Sequence, residues 1–317
     1  MSVTVNSRIG QLEELFPRNQ VDLEREDGDV ERLIPWIFRH ADTAGEDCMD
    51  HWPDDEDVFS LLFDYLSVYC SRVQAWEANE GHQSGTLGVT SALRTRQAIT
   101  LPRKSWAVAE KKRVGRLTDS QAVILQQLMK TVYWNLENVK RQNLKIRWVT
   151  SSHNQTYVIG GKRYGTRPED AVTVGLNRLP IISYTPWFYD QTWSEFLEQT
   201  VSIMLGQLAL DMSVDSGSTG SRDQEVFVVG FHGSYFHIGH ALFTADVISR
   251  VHSRGCSQDE VVGLEFTHGY NLCLKKDWLE AMRALVRLFR YIVSGDSKIG
   301  VIQALLEGTA NNLGEAV

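Results

Sequence analysis

The chain has 317 residues and 43% hydrophobic content, enough to fill the core of one large domain or two modest ones. No run of about 18 apolar residues occurs, and the N-terminal MSVTVNSRIGQLEELF lacks the basic start and apolar stretch of a secretory signal, so neither a membrane span nor an export signal is expected. The net charge of −8 is uneven: residues 1–81 carry 19 Asp and Glu against 6 Lys and Arg, while residues 82–150 carry 3 against 13.

Four cysteines, Cys48, Cys70, Cys256 and Cys273, lie far apart with no CxxC pair. They read as reduced core thiols of an intracellular protein, cytoplasmic or nuclear. The charge pattern suggests three segments: an acidic helical N-terminal region (1–81), a basic loop or linker (82–117) and an α/β part (118–317). The first two either pack on each other, or the basic one meets phosphate or an acidic partner.

In chain order, residues 1–30 read as a polar, mobile arm with a short amphipathic turn at Ile9, Leu12, Leu15 and Phe16. VERLIPWIFRHA reads as a short helix interrupted at Pro35. Asp54–Asp57 suits the solvated start of the next helix, where exposed amides favour carboxylates, better than a cation site. That helix carries Phe59, Leu62, Phe63, Leu66, Tyr69 and Val73 at helical spacing. Residues 79–105, rich in Gly, Ser and Thr, read as a loop. Arg94, Arg96, Arg103, Lys104, Lys111, Lys112 and Arg113 make a basic cluster there, the candidate contact for a nucleic acid or acidic protein partner. Trp106 is its one nearby aromatic, little stacking surface for a single strand. A helix over about 118–143 follows, then a strand in LKIRWVTS and a further pair turning at Gly160–Gly161.

The stretch 163–243 organises the rest: strand, strand, a helix apolar nearly all round, then a hairpin through His232–Ser234. The helix shows one polar stripe, Glu195, Glu198, Gln199 and Ser202. After the hairpin, DVISRVHSRG and VVGLEFTHGYNL read as further strands or short elements. KKDWLEAMRALVRLFRYIVSG is an amphipathic helix on Trp278, Met282, Leu285, Leu288, Phe289 and Ile292, ended by Gly295. Its Arg283, Arg287 and Arg290 are expected on a solvated face. His232, His237 and His240 have spacings of five and three, and odd separations on a strand face opposite sides, so sheet histidines are expected rather than zinc ligands.

This layout resembles the core of the PD-(D/E)XK nuclease superfamily, in which an Asp begins one strand and the next carries (D/E)xK. Pro168-Glu169-Asp170 stands where the family has PD, and Ser183-Tyr184-Thr185 where it has (D/E)xK. The chain also resembles nuclease-like domains of fungal proteins, some joined to kinase-like domains. The resemblance implies an α/β fold with a central mixed sheet flanked by helices, the restriction-endonuclease-like core. It implies a site at Asp170, Glu169, Ser183, Thr185 and Gln199, with Asp170 the metal ligand in an active enzyme.

Here Ser183 replaces the family's second acid and Thr185 its lysine. One carboxylate anchors Mg²⁺ poorly, and the lysine's charge is lost. The leading expectation is therefore a non-catalytic binding or scaffold protein with no cofactor, contacting nucleic acid or a protein. The rival is an active Mg²⁺-dependent nuclease using Asp170 with a displaced acid such as Glu137 or Glu198. An adaptor for a kinase-like protein is a third reading.

Overall fold

The computed structural model describes residues 2–18, 20–40, 58–80, 97–102, 115–137, 139, 144–149, 154–187, 191–214, 222–256 and 261–314. The chain begins with β1 (Ser2–Ile9), α1 (Leu12–Leu15), α2 (Gln20–Arg32), α3 (Trp36–His40) and α4 (Ser60–Glu80). Then come β2 (Gln97–Pro102), α5 (Gly115–Asn135), β3 (Arg147–Val149), β4 (Gln155–Ile159), β5 (Lys162–Thr166), β6 (Ala171–Val174) and β7 (Leu179–Thr185). Helix α6 (Trp193–Val214) leads to β8 (Gln224–His232), β9 (Tyr235–Phe243) and α7 (Ala245–Arg254). The last elements are β10 (Val261–Phe266), β11 (Tyr270–Asn271), α8 (Lys275–Ser294) and α9 (Gly300–Gly314).

The protein is α/β, built on one large mixed sheet in the order β2-β1-β10-β9-β8-β7-β6-β3, with β11 also paired to β9. Two pairings are parallel, β1 with β10 and β7 with β8. Hairpin β4–β5 forms a separate two-stranded sheet, turning at Gly160 and Gly161, both at positive φ as the tight turn requires. All nine residues of β8 are buried, so this strand runs through the middle of the molecule. Its side chains alternate: Phe227, Val229 and Phe231 join a large core cluster with α2 to α5 and α8, while Val226 and Val228 join a smaller one with α6 and Ile248 of α7.

Several sequence expectations change. Residues 2–9 are a strand rather than a mobile arm: β1 lies between β2 and β10, and Val5 is buried with Leu264 and Phe266. Its polar alternation resembles an arm because its pairing partner lies some 250 residues away in the sequence. Part of the expected loop 79–105 is β2, the edge strand beside β1. The helix expected over 118–143 is described from 115 and ends at Asn135. DVISRVHSRG is helix α7, because only helical spacing brings Val247, Ile248 and Val251 to one side.

Helix α8 shows how the larger core is assembled. Trp278 is fully buried, its indole N–H donating to the Leu33 carbonyl at 2.9 Å, with the rings of Phe38, Phe59 and Phe63 centred 5.7, 4.8 and 5.1 Å away. Gly295 ends the helix in the left-handed region, as its sequence position suggested. Two of the three α8 arginines expected to face solvent, Arg287 and Arg290, are buried, and Arg283 stays partly exposed. Arg287 is buried, donating to Glu26 and to Glu13, each at 2.7 Å, and Arg290 is buried against Asp29. Arg283 pairs with Glu26 at 3.2 Å and Asp27 at 3.5 Å. The acidity of residues 13–29 is thus answered by α8. A charged stripe at helical spacing looks the same whether it meets water or an opposing charged helix.

Candidate functional site

Strands β6 and β7 and helix α6 hold the residues singled out from the sequence. The strands pair antiparallel with Ala171 opposite Ser183. Just before β6 the backbone stays engaged: Tyr184 N–H donates to the Asp170 carbonyl at 2.9 Å, and Glu169 N–H to the Tyr184 carbonyl at 3.3 Å. Asp170 therefore lies beside the Ser183-Tyr184-Thr185 triplet. Helix α6 starts on a capping box: Thr192 N–H donates to the Glu195 carboxylate at 2.9 Å, and Glu195 N–H to the Thr192 hydroxyl at 3.3 Å.

The side chains at these positions have separate partners. Asp170 is 4% exposed, and its carboxylate accepts the Ala171 N–H at 3.0 Å. Burial pushes its pKa up to about 7; the Ala171 bond pulls the other way, and the charge of Glu169 adds to the rise. Ser183 donates to the Gln207 side-chain amide oxygen at 2.7 Å, and Thr185 donates to the Val229 backbone carbonyl at 3.1 Å. Gln199 accepts the Gln191 amide at 2.7 Å. Among the described residues, no hydrogen bond or ion pair joins the Asp170 carboxylate to Ser183, Thr185 or Gln199.

Next to Thr185 the space is filled by His237. A Cβ on Gly230 would collide with the His237 ring and come within 2.8 Å of the Thr185 hydroxyl, so the imidazole packs flat over a glycine backbone beside that threonine. Phe196 packs edge-on to His237 at 5.4 Å, Phe266 lies at 6.0 Å, and Trp187 lies 4.9 Å from both Phe196 and His232. Burial lowers the pKa of both His232 and His237 to about 3, helped for His232 by the neighbouring His237, so both are neutral. His240 differs: its Nε2 lies 3.1 Å from Glu225, and Glu225 also accepts from the Tyr291 hydroxyl at 2.8 Å and the Lys298 N–H at 2.7 Å. These are core histidines of the sheet, and among the described residues no three His, Cys, Asp or Glu side chains converge as a metal-binding group.

Sequence reasoning missed the inner stripe of α6. Thr200, Gln207 and Asp211 recur at helical spacing, all buried among Leu and Met. Asp211 is fully buried, among the described residues neither carboxylate oxygen has a hydrogen-bond partner, and burial drives its pKa well above the usual range. The available signal was a lone acid between Leu208, Leu210 and Met212, hidden by the overall apolar pattern.

Of the acids weighed as displaced ligands, Glu137 lies with α2, its carboxylate 3.5 Å from Arg32 and its N–H 3.5 Å from Asp29. Glu198 is half-buried on α6, its pKa raised by burial and then by Glu195. The basic cluster Arg94, Arg96, Arg103, Lys104, Lys111, Lys112 and Arg113, the acidic run Asp54–Asp57, and Cys48 lie outside the described residues. Cys70, Cys256 and Cys273 are in no disulfide. No helix among the described residues is long and apolar enough to cross a membrane. No protein-family model matches the chain, and no curated protein matches it.

Proposed function

We propose that this chain is a non-catalytic, intracellular binding protein built on a decayed PD-(D/E)XK nuclease-like core. The order of elements supports this reading: a short strand after Asp170, an antiparallel strand carrying Ser183-Tyr184-Thr185, a helix, then a strand parallel to the second. The observation that carries it is the state of the two replaced positions. Ser183 and Thr185 are buried, and each hydroxyl proton is committed to an internal acceptor. Beside them, among the described residues, lies the carboxylate of Asp170, whose pKa of about 7 leaves it partly protonated near neutrality, with Glu169 next to it. A partly protonated acid, with no second acid on the following strand, is a weak anchor for Mg²⁺, which binds through one or two ionised carboxylates and its own waters. Nor does a neutral His237 beside Thr185 supply the positive charge of the absent lysine.

The contact surface is the basic segment from Arg94 to Arg113, because Arg287 and Arg290 of α8 are already engaged by Glu13, Glu26 and Asp29. A phosphate backbone or an acidic protein face fits such a segment. Incubation with single- and double-stranded DNA and RNA in Mg²⁺ or Mn²⁺ should give no cleavage. Cleavage that disappears in Asp170→Ala would overturn the proposal and revive a nuclease with a displaced acid. Nucleic-acid binding that falls steeply with salt, and is lost on neutralising Arg94, Arg96, Arg103 and Lys104, assigns the segment to phosphate. Salt-independent behaviour assigns it to a protein.

A further inference from the structure

Behind the smaller core cluster lies a second concavity, away from Asp170, Ser183 and Thr185. It is a half-open apolar groove of about 380 Å³ between α6, α7, hairpin strand β4, the end of β9 and Val262 of β10. Leu205, Ala209 and Met212 of α6 face it, with Val247 and Val251 of α7 and Ile159 of β4. All six are half-buried, so this is the outer side of a helix whose sequence asks for cover on every side.

The cavity is held open by backbone. The N–H groups of Gly160 and Gly161 donate to the Val251 and His252 carbonyls at 3.0 and 3.3 Å, and Gly255 N–H donates to Val251 at 3.1 Å. The β4–β5 turn thereby clamps the end of α7 and stops it from settling onto α6. The same bonds satisfy the Val251 and His252 carbonyls, two of the last four of α7, and so reduce the negative potential of its C-terminus. His252 lines the cavity, and with Arg254 it makes the last turn of α7 basic. The described lining holds no carboxylate.

From this geometry we infer that the cavity binds a medium-chain fatty acid, its chain along α6 and its carboxylate at His252. The volume sets the length: an apolar cavity of about 150 Å³ takes benzene. In proportion, 380 Å³ takes about fifteen heavy atoms, close to dodecanoate. A wholly apolar ligand would leave the basic turn unused, and a cationic one would be repelled by it. Cys256, at the lining, offers a reporter.

The test is calorimetric titration of the full chain with hexanoate, dodecanoate and octadecanoate below their micelle concentrations. Dodecanoate should bind tightest, and should slow alkylation of Cys256, followed by peptide mass spectrometry. Ala209→Trp, which fills the cavity, should weaken dodecanoate by about tenfold or more. His252→Gln should weaken dodecanoate several-fold and leave 1-dodecanol unchanged. If Ala209→Trp loses its thermal unfolding transition, Val251→Phe replaces it. Affinity that rises steadily through octadecanoate, or is indifferent to the filled cavity, marks detergent-like adsorption and overturns the inference. So does a chain that dimerises through this face, becomes monomeric in Ala209→Trp and binds no dodecanoate, because a second copy then occupies it.

Discussion

The buried titratable side chains make this protein's response to pH unusual, and they oppose one another. His232 and His237 are neutral in the fold at a pKa of about 3, whereas the unfolded chain protonates each below about 6.5. Their contribution to stability is complete above 6.5 and is lost as pH falls toward 3. Asp170, raised to about 7, and Asp211, raised well above the usual range by burial, have the opposite sign. They are protonated in the fold where the unfolded chain has released the proton, so they cost stability as pH rises above about 4. Between about 4 and 6.5 the two effects oppose one another. We predict a shallow dependence of stability on pH in that range. Relative to the native chain, Asp211→Asn should gain stability as pH rises above about 4, by up to about 1.4 kcal/mol per pH unit while the buried carboxyl stays protonated. Urea unfolding midpoints at pH 5, 6.5 and 8 check this, and equal differences at all three would refute it.

Among the elements, the pairing of α2 with α8 has the largest consequence. Asp29 has no exposure and accepts from Arg290 and Arg32, while Glu26 accepts from Arg18, Arg283 and Arg287. A buried charge that loses its partner is left without solvent or counter-charge, so Asp29→Ala and Arg290→Ala should each cost about 3–5 kcal/mol. The double variant should cost clearly less than their sum, and the pair should be almost insensitive to 1 M salt. Simple additivity in a denaturant double-mutant cycle would show that the two side chains act independently. The strands of 163–243 and helix α8 were legible in the sequence because each carries its own periodicity and its own turn or cap. The α2–α8 clasp was not, since nothing in the spacing of Arg283, Arg287 and Arg290 distinguishes an opposing helix from water.

For the whole molecule, the decisive feature is that the first strand completes a sheet whose neighbour β10 comes near the other end of the chain. Removing residues 2–9 would strip β10 and β2 of a shared partner and uncover Leu264 and Phe266. The shortened protein should melt roughly 10 °C lower, with loss of near-ultraviolet ellipticity and a tendency to aggregate. An unchanged melting curve would show that the sheet closes without β1. Pairings of such sequence separation also form late, since the loop must close before the contact repays it.

By itself, the sequence determined the local elements of the middle and C-terminal parts, the α/β class, and the presence of Ser183 and Thr185, with no acid or lysine, in the strand that follows Asp170. These depend on neighbours within a few residues, through side-chain period, turn glycines and the chemistry of each side chain. Tertiary structure alone decided that 2–9 is a strand, that Arg287 and Arg290 are buried, that Gln207 accepts a hydrogen bond from Ser183, and that His237 packs beside Thr185. Each of these joins segments tens to hundreds of residues apart, and whether a polar group meets water, a counter-charge or an apolar wall is settled only when the chain has closed around it.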